Sequence, residues 1–234
     1  MGVQYLERRV RLPEVELPEL DPESSPERAA QAVREAWELG EGPIRNVVGL
    51  LERKGVIISR LPAATDELDA FSCWVGSRPF IILVSNKDAA DRARFDAAHE
   101  LAHLLHHDAH PGDATVERVA HAFAAEFLAP TRSIRAALPK RVDWRRLADL
   151  KLEWGVSMAM LLRRMRDLAV ISDAAYRRGM MDLSRRGWSR SEPIDIGVPE
   201  RPELLARAMA LLEEHRDFTL DQLANDLALG RDNI

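Results

Sequence analysis

Phe95-Asp96-Ala97-Ala98-His99-Glu100-Leu101-Ala102-His103-Leu104-Leu105-His106-His107 runs without glycine or proline, and its apolar residues recur at helical spacing. On a helix, side chains four apart lie one above the other, so His99 and His103 present two imidazoles to one ion while Glu100 stands beside them. A surface helix with solvated histidines would not set both among Phe95, Ala98, Leu101, Ala102, Leu104 and Leu105.

The His-Glu-x-x-His pattern is the spacing of zinc peptidases, with the glutamate as general base. Two histidines leave a tetrahedral zinc one protein ligand short, because a catalytic site keeps its fourth position for water. The third ligand must lie downstream. A metzincin spacing needs Gly at position 106 and His at position 109, where this chain has His106 and Ala109, so that class is excluded. The next helix is expected from Thr115 to Leu128, stopped by Pro130. It carries Glu117 and Glu126, nine residues apart and therefore about 180° apart around the axis. Only one of them can face the ion. Glu117 shares its side with Ala120 and Ala124, small residues that let two helices approach closely, whereas Glu126 neighbours Arg118 and Val119. His121 is a third candidate.

Upstream of the motif the period changes to two. Val56-Ile57-Ile58, Asp69 to Val75 and Pro79 to Val84 read as strands, and Gly76-Ser77-Arg78 turns the last two into a hairpin. A strand beside a zinc helix can hold a peptide substrate by adding it to a free edge. Further upstream, Ser25-Pro26-Glu27 supplies an N-cap, a proline at the first helical position and an acidic first turn for a helix reaching Gly40. A second helix is expected from Pro43 to Gly55. Residues 1–25, with Pro13, Pro18 and Pro22 among acidic residues, read as an extended arm rather than a packed element.

With 46% hydrophobic and 30% charged residues, the 234-residue chain has an ordinary globular composition. The absence of an eighteen-residue apolar run and of a signal-peptide pattern at Met1 to Pro13 predicts no membrane association and a cytoplasmic location. Cys73, the single cysteine, excludes an intrachain disulfide and agrees with a reducing compartment. It lies in the strand just before the motif helix, so a second expectation attaches to it: its thiolate as an inhibitory fourth zinc ligand, displacing the water until released.

The run Arg94-Phe95-x-x-Ala98-His99-Glu100-Leu101-Ala102-His103-Leu104-Leu105-x-His107, followed by Glu117-x-x-Ala120-x-x-Phe123-Ala124-x-x-x-Leu128-x-Pro130, resembles the signature of the ImmA/IrrE metallopeptidases. Pro43-Ile44-x-Asn46 and Asp69-Ala70-Phe71-Ser72 also look like family positions. The resemblance implies Zn2+ held by His99, His103 and Glu117, with Glu100 as the catalytic carboxylate. It further implies a narrow activity, the cleavage of a partner helix-turn-helix transcriptional repressor in a DNA-damage or phage response. No helix-turn-helix pattern precedes the motif, so the repressor is expected to be a separate protein.

Beyond Pro130 the balance turns basic, with fifteen Lys and Arg against seven Asp and Glu from Thr131 to Glu192. Trp144 to Trp154 and Met158 to Val170 read as two helices joined at Gly155-Val156-Ser157, the outline of a helix-turn-helix pair. Arg145, Arg146, Arg163, Arg164 and Arg166, with Trp144 and Trp154, would meet phosphates and stack on bases if this part touches DNA, single-stranded or duplex; otherwise it is scaffold. Pro202 to Leu212 and Thr219 to Leu227 read as two closing helices. His106, His107, His110 and His215 suit helix C-termini rather than a metal.

The expected fold is therefore α+β. An arm over 1–25 leads into a mostly helical, gluzincin-like zinc protease domain with a small three-stranded sheet over 26–130. A basic, helix-turn-helix-like bundle follows over 131–192, and a C-terminal helical segment over 193–234. The expected function is that of a zinc endopeptidase acting on a repressor, with nucleic acid as its activator. The competing class is a DNA-associated regulatory protein whose zinc is structural, and an intact Glu100 favours the enzyme because a structural zinc needs no base.

Overall fold

The computed structural model describes residues 7, 9–62, 70–85, 89–106 and 113–214. Strands β1 (Ile57–Pro62), β2 (Ala70–Val75) and β3 (Arg78–Ser85) form one sheet in the order β1-β3-β2. β3 pairs parallel with β1 and antiparallel with β2. Gly76 makes the tight turn between β2 and β3 with a φ of 64°, a conformation glycine adopts without strain. β2 therefore forms one side of the sheet, and its outer edge has no strand partner among the described residues.

The helices that frame the sheet are α1 (Pro26–Ala36), α2 (Val47–Arg53), α3 (Ala90–Leu105) and α4 (Ala114–Leu128). Their starts follow the sequence: the Ser25 hydroxyl accepts from the Arg28 N–H, Asn46 from Gly49 and the Asp113 carboxylate from Thr115. α3 packs against the sheet, where the Trp74 indole donates to the Leu104 carbonyl at 3.2 Å. Further helices follow as α5 (Thr131–Ala137), α6 (Trp144–Trp154), α7 (Met158–Asp167), α8 (Asp173–Arg185) and α9 (Leu204–Glu214). Buried residues from most of these elements, among them Leu51, Ile81, Leu101, Phe123, Leu147 and Leu161, form one continuous core. Among the described residues no helix is long and apolar enough to cross a membrane.

Two buried guanidinium groups fix α3 and α4 within this core. Arg94 donates to the carbonyls of Ile44 at 2.5 Å and Gly155 at 2.9 Å, and pairs with Glu200. Gly155 ends α6 in a left-handed turn, and a side chain there would press its Cβ to 2.8 Å from Arg94 Nε. Arg164 reaches back from α7 to Glu126 on α4 at 2.5 Å and to the Ala129 carbonyl at 2.8 Å.

The structure revises several expectations. Residues 11–20 are extended but packed: Leu12 is buried, the Trp37 indole donates to the Glu16 carbonyl and Arg78 donates to the Pro13 carbonyl. Apolar anchors within a proline-rich stretch dock it without helix or strand. α1 stops at Ala36, because Glu38 turns left-handed and Arg34 takes the Gly40 and Gly42 carbonyls. α2 begins only at Val47, after its Asn46 cap. Arg164 and Trp154 are buried and so withdrawn from any nucleic-acid surface, while Trp144 is half-buried, its indole donating to Asp182 at 2.8 Å and its ring meeting Trp188. Asp69, His107, His110, His215 and the helix expected from Thr219 to Leu227 lie outside the described residues.

Candidate metal centre

His99, Glu100 and His103 sit in the C-terminal half of α3, and Glu117 sits in the first turn of α4. Ala120 and Ala124 are 2% and 0% exposed on the face of α4 that meets the core, so the two helices approach closely enough for their side chains to converge. His99 Nε2 lies 3.0 Å from His103 Nε2 and 3.1 Å from Glu117 Oε2, and His103 Nε2 lies 3.5 Å from Glu117 Oε1. Zinc bonds of about 2.0–2.1 Å in a tetrahedron place neighbouring ligand atoms about 3.3 Å apart, so the three spacings suit a single ion. Two imidazole nitrogens facing each other, with a carboxylate across from both, form a donor set of the kind zinc takes.

Residues 51–166 match the family model of the IrrE N-terminal-like domain, Peptidase_M78. This domain belongs to that peptidase family. No curated protein matches the chain.

Within the M78 domain the electrostatics follow from burial. Desolvation, reinforced by His121 and His103 and opposed by Glu117, lowers the His99 imidazole to about 4. It is therefore neutral at ordinary pH, the form a metal requires. Burial raises the Glu100 carboxyl above its usual value, against the hydrogen bond from Ser72 and the neighbouring His103. The Ser72 hydroxyl donates to Glu100 Oε2 at 2.6 Å. Sequence reasoning gave Ser72 no role, although period-two alternation already places it on one strand face with Ala70 and Trp74.

His121 stands next to this cluster and brings a further imidazole to it. Its Nδ1–H donates to the Glu117 carbonyl at 2.8 Å and its ring lies 4.6 Å from that of His99. The ligand atoms of His99, Glu117 and His121 all fall within 4.8 Å of one another. Glu126 is elsewhere: fully buried, it accepts from Gln31 at 3.0 Å, from the Thr131 hydroxyl at 2.6 Å and from Arg164. Desolvation opposes its charge, but Thr131, Gln31 and Arg164 outweigh that and hold its carboxyl below the ordinary range.

Cys73 requires a correction. It is exposed and points to the face of β2 opposite Ser72 and Trp74, the two residues that reach α3. A thiol on that face is turned away from His99 and His103. His106, at the end of α3, donates its Nδ1–H to the Ala102 carbonyl at 2.8 Å and closes the helix, as its position in the sequence suggests.

Proposed function

We propose that the chain is a zinc-dependent endopeptidase whose substrate is a separate helix-turn-helix repressor. The observation that carries the reading is the convergence of His99, His103 and Glu117 with Glu100 held beside them by Ser72. His99, His103 and Glu117 are the ligands in this reading. Zinc, when bound, polarises a peptide carbonyl and acidifies water.

The chain's own groups supply the rest. Ser72 occupies Oε2 of Glu100, leaving Oε1 to take a proton from attacking water and return it to the departing amine. A carboxyl whose proton affinity is raised by burial is better matched to that exchange near neutral pH. The edge of β2 beside Glu100, which has no strand partner among the described residues, offers backbone groups to an extended substrate, which aligns the scissile bond by strand addition. A structural metal would not need a buried carboxylate poised next to two imidazoles. Of the five arginines singled out in the basic part, Arg145 and Arg163 are exposed, and with other exposed cations there, such as Arg141, Arg177 and Arg178, they are open to nucleic acid as an activator.

The test is incubation of the zinc-loaded protein with helix-turn-helix repressors encoded beside it, with the fragments identified by mass spectrometry. Glu100→Gln keeps the side chain's shape and should retain zinc while losing several powers of ten in rate. Full cleavage by this variant would remove Glu100 from the chemistry.

A further inference from the structure

A cavity of about 820 Å³ opens on the side of the metal cluster away from the sheet. α3 is the shared wall. Ser72 and Trp74 of β2 meet its C-terminal half at Glu100 and Leu104, whereas Arg92 and Phe95, before His99 on the same helix, line the cavity. The Phe95 ring is 6.4 Å from the His99 ring and 5.5 Å from the His121 ring, so the cavity begins where the cluster ends. Met160, Tyr176 and Trp188 form part of the opposite wall. A space of this size buries a small ligand or several peptide side chains.

The lining carries both signs, seven Arg and Lys against six Asp and Glu, Glu27, Asp96 and Asp195 among the latter, and part of this charge is paired within the cavity. Asp91 and Glu192 close on Lys151 at 2.7 and 2.8 Å, and Asp167 takes Arg166 at 2.6 Å. Arg92, Arg118 and Arg190 line the same cavity and have no ion pair among the described residues. The lining thus combines aromatic and thioether surface with guanidinium groups whose planar donors are free to fork onto a carboxylate.

Resting on the endopeptidase reading, we infer that this cavity holds one flank of the substrate, a segment that carries an apolar and an acidic side chain at fixed distances from the scissile bond. The helix supplies the ruler. Phe95 lies four residues before His99, about 6 Å along the axis, and Arg92 seven residues, about 10 Å, at roughly 1.5 Å per residue. An extended peptide advances about 3.3 Å per residue. The apolar side chain therefore falls about two residues from the scissile bond and the Asp or Glu about three.

The experiment is digestion of a mixed peptide library, randomised on both flanks, by the zinc-loaded protein, with cleavage sites read by mass spectrometry. Alongside it, binding of an acidic peptide to the zinc-loaded Glu100→Gln protein is measured by calorimetry. The expected result is enrichment of Asp and Glu of about tenfold near the third position on one flank, an apolar residue near the second, and saturable binding of the acidic peptide. Arg92→Glu, and Arg190→Glu as an exposed variant that does not threaten folding, should each shift the preference toward Lys and Arg. Cleavage with no charge preference, or with a basic one, overturns the pocket assignment and leaves the endopeptidase reading in place. No cleavage of any peptide, with the acidic peptide still bound and released by Arg190→Glu, overturns the endopeptidase reading alone. Neither cleavage nor binding overturns both.

Discussion

The Ser72 hydroxyl donates to Glu100 Oε2 across 2.6 Å, joining the edge strand of the sheet to the carboxylate of the motif helix. One hydrogen bond thereby orients the group expected to move the proton and leaves its second oxygen outside that bond. A hydrogen bond to a charged group contributes about 1.5–3 kcal/mol. Ser72→Ala should therefore lower kcat/KM by about tenfold or more, with zinc content by metal analysis unchanged. Unaltered kinetics would show that Glu100 holds its position without the strand.

Glu117 and Glu126 lie on one helix and have unrelated surroundings. Glu117→Ala should lose zinc at stoichiometric loading, because it removes a carboxylate 3.1 Å from His99 Nε2. Glu126→Ala should keep zinc but lose stability, since it leaves Arg164 buried and unpaired. Breaking a buried ion pair from one side costs roughly 3–5 kcal/mol. Metal analysis and denaturant titration on the two variants separate these effects, and the reverse pattern would exchange their roles.

Lys151 is 3% exposed and holds Asp91 and Glu192. Desolvation pushes its pKa down, but the hydrogen bonds and charges of Asp91 and Glu192 outweigh it and hold Lys151 above the ordinary 10.5. The folded value lies above the unfolded one, so this contribution is fully present below pH 10.5 and is lost as pH rises through the higher folded value. Lys151→Met leaves two carboxylates facing each other and should destabilise by roughly 3 kcal/mol at neutral pH. Thermal unfolding of parent and variant at pH 7 and in the alkaline range checks both statements; a variant as stable as the parent at pH 7 would contradict them.

Cys73 is exposed on the outer face of β2. The parent thiol should react with a small disulfide reagent at the rate of an ordinary surface cysteine, with or without zinc. Cys73→Ser should leave zinc content and cleavage rate unchanged. Protection of the thiol by zinc would return Cys73 to the metal centre.

Local geometry made much of this protein legible in the sequence. The spacing of His99 and His103 places both on one face of any helix, and Gly76 permits a tight turn in any hairpin. Ser25 and Ser157 cap the helices that follow them because a hydroxyl before an apolar helical run satisfies free N–H groups wherever the helix lies. α8 escaped notice because only Gly179 and Leu183 are buried along it, too few apolar positions to show a period. Long-range packing decided the rest. Alternation puts Ser72 and Cys73 on opposite faces of β2, but which face meets Glu100 depends on the side to which α3 packs. Arg164 reads as one cation among many in a basic stretch, yet Glu126, 38 residues earlier, draws it into the core. Phe95, Trp188 and Arg190 come to one cavity only when α7, α8 and the segment after them fold back over α3. The period of a helix or strand is a property of neighbouring residues, whereas the choice of which face is buried belongs to whatever packs against it.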